Sequence, residues 1–251
     1  MSNNNFDNTL ESLRYDAHFL TCPEVITPGY CSSNVPDHLR PPYIFYESLL
    51  AAHLNSSSRA LEIGCGSGNF SYPLASSNCN FVATDLSEYS LKYFDKVYSE
   101  YPNTMSLRCD MESLPFPDKF FDVVASSGSL SYGDNDVVMH EVLRVLKPGG
   151  FFICVDSLNH NPIYRLNRYF HYLRGKRSRS TLLRMPTMSM IGKYKHSFNT
   201  VHVKYFGTFA WTFQFISALI GRNSALRLLS SLDSIHMLRK LAFKFVLVAQ
   251  K

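Results

Sequence analysis

The sequence predicts an α/β fold in which a mostly parallel sheet carries helices on both faces. Three observations lead there. From Arg59 onward, short apolar runs of strand length alternate with amphipathic stretches of helical period. The first of these runs ends in glycines at 64, 66 and 68, placed between a strand and a helix. A helical stretch over 135–146 meets Lys147-Pro148-Gly149-Gly150, a strong stop before the next strand. At 251 residues and 45% apolar composition the chain is long enough for one large domain and too apolar for bulk disorder.

The elements follow in order. Pro41 and Pro42 open a helix over 43–54. Ala60–Ile63 is the first strand, and Phe70–Ala75 opens the next helix. Phe81–Thr84 is the second strand, ending at Asp85. Ser87 caps a helix running to Ser99, with Leu91, Phe94, Val97 and Tyr98 turned inward. Met105–Arg108 and Phe121–Ser126 are the third and fourth strands. Phe151–Val155 is the fifth. Helical patterns follow over 162–173 and 224–240, with a strand at Val201–Phe206 between them. Phe243–Ala249 is the last strand. The apolar stretch Phe206–Ile220 is interrupted by Gly207, Thr208, Thr212, Gln214 and Ser217 and is too short to span a bilayer. It reads as a helix packed on the protein's own sheet, with an interfacial helix as the other reading.

The net charge of +5 hides a split. Residues 1–150 hold 9 Lys and Arg against 18 Asp and Glu, net −9; residues 151–251 hold 16 against 2, net +14. No carboxylate lies between Asp156 and Asp233. Such a split speaks about partners rather than fold. The six cysteines show no C-x-x-C spacing, and no metal pattern is present. The polar start MSNNNFDNTL lacks the basic and apolar regions of a secretory signal. Reduced thiols and a cytoplasmic location are therefore expected.

The stretch Leu61-Glu62-Ile63-Gly64-Cys65-Gly66-Ser67-Gly68-Asn69-Phe70 holds the sharpest motif. Glycines there permit a tight turn and close approach of a ligand to the backbone. Asp85 lies 17 residues beyond Gly68 at a strand end, where a carboxylate can accept from a ribose diol. Asp110 follows the third strand and can meet an adenine amino group. No Gly-Lys-Ser/Thr follows the loop, which disfavours phosphate cradling.

With these segments in this order (LEIGCGSGNF, ATDLS, CDMESLPFPDKFFDVV, HEVLRVLKPGG), residues 59–155 resemble the class I S-adenosylmethionine-dependent methyltransferases of the type 11-like kind. The resemblance implies a Rossmann-like seven-stranded sheet, mostly parallel, with an antiparallel last strand. It also implies helical inserts between strands five and six and between strands six and seven. It divides the chain into a lid with the first helices over 1–58 and a single domain over 59–251, whose residues 157–242 hold substrate-recognition inserts. The cofactor would be S-adenosyl-L-methionine. Gly64, Cys65, Gly66 and Gly68 would lie along its methionine and ribose part, with Cys65 a small side chain that fits. Glu62 would lead the loop and face the amino-acid end. Asp85 would hold the ribose hydroxyls, and Leu86 would pack on adenine. Asp110 and Met111 would bracket the ring, and Ser127 would approach from the fourth strand.

Methyl transfer is an in-line displacement that needs alignment and exclusion of water; a base is needed only for a protonated acceptor. His160 and Asp156, in VDSLNHNP after the fifth strand, are the candidate base and its orienting group. Tyr132, Arg165 and Arg168 are candidate substrate contacts, since arginines between 165 and 184 suit phosphate or carboxylate. No Asn-Pro-Pro-Tyr or Pro-Cys motif follows strand four, which weakens methylation of nucleic-acid bases. The expected reaction is O-methylation of a small-molecule or carbohydrate-containing anionic acceptor. A peripheral membrane contact is a further candidate. An RNA methyltransferase and a non-catalytic binding protein with the same fold are the other readings.

Overall fold

The computed structural model describes Leu13, Asp16, residues 28–175 and residues 178–251. Residues 1–12, 14, 15 and 17–27 of the expected lid segment, with Lys176 and Arg177 of the basic stretch, lie outside the described residues. Seven strands are present: β1 Arg59–Ile63, β2 Asn80–Asp85, β3 Thr104–Arg108, β4 Phe121–Ser127, β5 Leu146–Ser157, β6 Thr200–Phe206 and β7 Lys244–Gln250. The described helices are α1 Cys31–Asn34, α2 Pro41–His53, α3 Tyr72–Ala75, α4 Glu88–Val97, α5 Asn135–Val145, α6 Pro162–Leu173, α7 Arg179–Leu183, α8 Met188–Ser197, α9 Phe213–Ile220 and α10 Arg222–Asp233.

The strands form one sheet in the order β3-β2-β1-β4-β5-β7-β6. β1 to β5 are parallel to one another, and β7 runs antiparallel to both β5 and β6. This is the Rossmann-like sheet with an antiparallel last strand that the sequence implies. The inserts also fall where expected: α6, α7 and α8 between β5 and β6, and α9 and α10 between β6 and β7.

The period-2 alternation of strands explains the two cores. On β5, Phe152 and Cys154 face one side, where α5 (Val138, Val142) and α8 (Ile191, Tyr194) cover them. Ile153 and Val155 face the other, with α2 (Tyr46, Leu50) and α4 (Leu91, Phe94). Strands buried on both faces read as unbroken apolar runs. Caps sit where small polar side chains precede helices. Ser87 Oγ accepts from Ser90 N at 3.0 Å, and Asn161 Oδ1 accepts from Ile163 N at 3.0 Å.

Several elements depart from the sequence expectation. The helix from Phe70 is a single turn, Tyr72–Ala75. β5 starts at Leu146: the Lys-Pro-Gly-Gly segment ends α5 as expected but continues into the strand across a register shift between Phe121 and Val123 of β4. The Phe206–Ile220 stretch is broken by Gly207, at φ +72°, and by a 3-10 turn at Ala210–Thr212. Its helix, α9, packs through Phe213 on Ala225 and Leu229 of α10 rather than on the sheet. The pattern over 224–240 is α10 followed by a 3-10 turn at His236–Leu241.

All parallel strands end on one edge, and β6 ends there too. Everything the sequence nominates after a strand therefore gathers at that edge. The fold itself is tested by Phe152, which is fully buried and stacked on Tyr194 at 5.6 Å and Phe198 at 6.5 Å. Phe152→Ala is expected to destabilise the protein by about 3–5 kcal/mol, read as a lower denaturant midpoint with an unchanged slope.

Candidate active site

The glycine loop after β1 is a set of three left-handed residues: Gly64 at φ +66°, Gly66 at +54° and Gly68 at +91°. They are needed for different reasons. A Cβ on Gly64 would lie 2.4 Å from Ser129 Cβ, and one on Gly68 would lie 2.5 Å from Tyr98 Cε2. Gly66 has nothing within 4 Å of that position, and neither has Gly128 at φ +72° after β4. So the outer glycines allow close packing, while Gly66 and Gly128 face open space at the strand ends. A ligand laid across β1 and β4 meets bare backbone there.

Three acids surround this space. Glu62 is 1% exposed and accepts from Ser71 Oγ. Burial pushes its carboxyl up to about 7; the Ser71 bond opposes the rise and the Asp85 charge adds to it. Asp85 accepts from Gly66 N at 2.8 Å and from Ser87 N at 2.9 Å, which fixes the loops after β1 and β2 together. Burial raises its carboxyl, and these backbone donors hold it down. Asp110 accepts from Glu112 N at 2.9 Å and shapes the turn after β3. Leu86 is half-buried beside Asp85, and its carbonyl accepts from Arg108 Nε at 3.0 Å. Met111 is buried, with its Cε 3.5 Å from the Cβ position of Gly64. Cys65 is buried, and desolvation pushes its thiol well up, which disfavours the thiolate form. Ser127, half-buried, pairs with Val155 at the end of β4.

This donor set fits the implied cofactor. Buried and partly buried carboxylates suit a ligand bearing an ammonium, a sulfonium and a diol, and the open face over Gly66 and Gly128 leaves room for it.

The acceptor side differs from the sequence expectation. Asp156 is 2% exposed, and its two oxygens accept from Leu130 N at 3.0 Å and Ser157 N at 2.6 Å. It ties the end of β5 to the turn after β4. Burial raises its carboxyl, and the Lys244 charge opposes that rise. His160 Nε2 accepts from Met188 N at 2.9 Å at the start of α8. Desolvation and the charges of Lys240 and Arg165 keep its imidazole below the ordinary value. No hydrogen bond joins Asp156 to His160 among the described residues. Arg168 is 5% exposed, and its Nη1 donates to Leu158 O at 3.0 Å and Asn159 Oδ1 at 3.3 Å. It braces the chain after β5 instead of facing solvent. Arg165 is exposed, and Tyr132 is half-buried with its carbonyl accepting from Arg184 Nη1 at 3.4 Å.

Other residues serve the site without a sequence signal strong enough to single them out. Ser129 Oγ donates to Ile63 O at 2.9 Å and pairs with Ser126 Oγ at 2.8 Å, locking the β1 and β4 loops. Tyr98 OH donates to Gly68 O at 2.7 Å. Ser87 Oγ donates to Asp16, so the N-terminal segment touches the β2 end beside Asp85. Lys244, opposite Ser157 in register, lies over the Tyr43 ring at 5.2 Å.

Residues 61–154 match the methyltransferase domain family. The chain is 28% identical over 182 residues to a sterol 4-C-methyltransferase of Caenorhabditis elegans, covering 65% of this chain and 53% of that protein. It is 33% identical over 115 residues to a fatty-acid O-methyltransferase of Mycolicibacterium smegmatis, covering 45% of this chain and 42% of that one. The chain thus spans about half the length of these curated relatives. Geranyl diphosphate C-methyltransferase from Streptomyces coelicolor, solved with S-adenosyl-L-homocysteine, shares the fold at a TM-score of 0.60 and 14% identity, over 98% of this chain and 97% of that one. The strand order, the glycine loop and the acids at the ends of β1, β2 and β3 agree with the match of residues 61–154 to the methyltransferase domain family.

Proposed function

We propose that this chain transfers a methyl group from S-adenosylmethionine to an anionic oxygen of a small-molecule acceptor, and that neither His160 nor Asp156 acts as a base. One observation carries the second part. Both residues are already engaged by backbone N–H groups: Asp156 by Leu130 and Ser157, and His160 by Met188. An acceptor that arrives ionised, such as a carboxylate, needs no proton removed. The relatives include a protein named for O-methylation of a fatty acid, which supports an acid acceptor.

When bound, the cofactor supplies a methyl group already activated by a positive sulfur. The chain's part is to hold and align. Gly66 and Gly128 offer open backbone, Asp85 accepts from the diol, and Glu62 and Asp110 complete the acidic side. The chain after β5 brings Arg165 toward the acceptor side, where a cation favours an anionic group. Arg168 keeps that chain in place, and Asp156 holds the β4 turn against β5.

Three outcomes test this. Asp85→Ala is expected to weaken S-adenosylmethionine binding by about 1.5–3 kcal/mol, the value of a hydrogen bond to a charged group, read by calorimetry alongside a melting control. An undiminished affinity would remove Asp85 from the site.

Glu62 sets a pH dependence. A cation beside it favours the ionised carboxylate, so cofactor affinity should rise with pH up to about 7 and level off above. In the cofactor-free protein the sign is reversed. A carboxyl raised from 4.5 to about 7 contributes stability below 4.5 that is lost as pH rises through 7. Glu62→Gln keeps the bond from Ser71 and should flatten both profiles, read by calorimetry and thermal melts across this range.

His160→Ala should methylate a carboxylate acceptor near the wild-type rate. A loss of about 10²–10⁴-fold, the range for general-base removal, would restore His160 as the base.

A further inference from the structure

α6 is built inside out. Its buried side chain is the cationic Arg168, while Leu166, Phe170 and Leu173 point outward at 56%, 49% and 60% exposure. These three recur at i, i+4 and i+7, so they form one stripe. α9 repeats the pattern. Phe213 packs on α10, and the opposite side presents Phe215 at 73% and Leu219 at 84% exposure. The two helices start from one place. Tyr164 OH of α6 donates to Gly207 O at 3.0 Å, and Asn161 Nδ2 donates to Thr208 O at 3.4 Å, in the turn that leads to α9. Both therefore leave the sheet at the edge where the strand ends gather.

Scattered exposed apolar residues are ordinary, but two outward apolar stripes on neighbouring helices mark a contact surface. Charge identifies the occupant. The stretch from 157 to 232 has no carboxylate, and Arg174 and Arg179 follow α6 exposed. No described helix is long and apolar enough to cross a membrane. Outward apolar stripes beside cations, on helices too short to span, match an element that lies in the plane of an anionic interface. A second copy of the chain fits less well, because a twofold contact would set one basic band against another.

We propose that the edge formed by α6 and α9 docks on the surface of an anionic lipid bilayer. The docking stands apart from the methyl-transfer reading, since no residue in it belongs to the cofactor site. Its consequence does rest on that reading: the acceptor would be taken from, or at, the bilayer.

The test is flotation of the whole chain with vesicles of phosphatidylcholine alone and of phosphatidylcholine mixed with phosphatidylglycerol. The wild type should float with the mixed vesicles and much less with the neutral ones, and added salt should weaken it. The double variants Phe215→Ser/Leu219→Ser and Leu166→Ser/Phe170→Ser should each lower partitioning by about tenfold or more. Arg174→Glu/Arg179→Glu should abolish the preference for anionic lipid. All of these positions are exposed, so circular dichroism and melting should stay at wild-type values. Absence of flotation with the mixed vesicles would overturn the proposal, as would equal flotation by all variants. Sedimentation showing a wild-type dimer that the serine variants turn into monomers would assign the stripes to a second copy instead. Cofactor binding measured on the same variants separates failure of docking from failure of the methyltransferase reading: it should be unchanged whether or not docking fails.

Discussion

The central strands are buried on both faces, and the rest of the molecule follows from that. β1, β4 and β5 sit inside the sheet, and Phe152 and Val155 of β5 are fully buried on opposite sides. No polar ligand reaches such strands along their length. Their backbone becomes accessible only where they end, and parallel strands end together. The glycine loop, the three acids, Asp156 and both inserts meet at one edge for this reason, although they come from all along the chain. The loops at that edge are then held to one another by short polar links. Asp85 joins the β1 and β2 loops, Ser129 joins those of β1 and β4, and Asp156 joins those of β4 and β5. The site is preorganised by a chain of such links rather than by any one element.

The architecture was legible because two periods in the sequence carry it. Alternation between short apolar runs and 3.6-residue patterns placed all seven strands and the helices α2, α4, α5 and α6, whereas α8 at Met188–Ser197 was not expected. The cofactor loop was legible too, since left-handed positions require glycine and strand ends attract acids. The sequence did not separate Gly64 and Gly68, which are small because Ser129 and the Phe94–Tyr98 pair press on them, from Gly66, which opens outward. That distinction depends on residues 26 to 65 positions away. The same limit applies to the acceptor side. His160 and Asp156 have the right chemistry at the right place in the chain, but backbone N–H groups of Met188 and Leu130 engage them. Backbone donors carry no signature in side-chain spelling. Arg168 is a related case: a basic residue in a basic run reads as solvated, and only the fold shows that it turns inward to two acceptors after β5.

The charge split is only partly neutralised within the molecule. Lys193 reaches Asp136 at 2.5 Å, and Arg222 pairs with Asp37, so the basic half does meet the acidic half at some points. These pairs are exposed and each contributes little to stability. Arg165, Arg174 and Arg179 are exposed and take part in no ion pair among the described residues. The acids that matter to the site are instead buried or engaged by backbone donors. The acids of the cofactor side and the exposed arginines of the insert are thus segregated along the sequence.

That segregation has a consequence for turnover on the proposed reading. A cationic methyl donor belongs beside Glu62, Asp85 and Asp110, and an anionic acceptor beside the insert. Before transfer each ligand is held by charge of opposite sign. Transfer removes the positive charge from one and the negative charge from the other, and the overall charge of the pair is unchanged. Each pole of the site then holds a neutralised product less strongly than it held the substrate. The charges that collect the two ligands thus also weaken their hold once the methyl group has moved, and the split that a net charge of +5 conceals becomes a device for release as well as for binding.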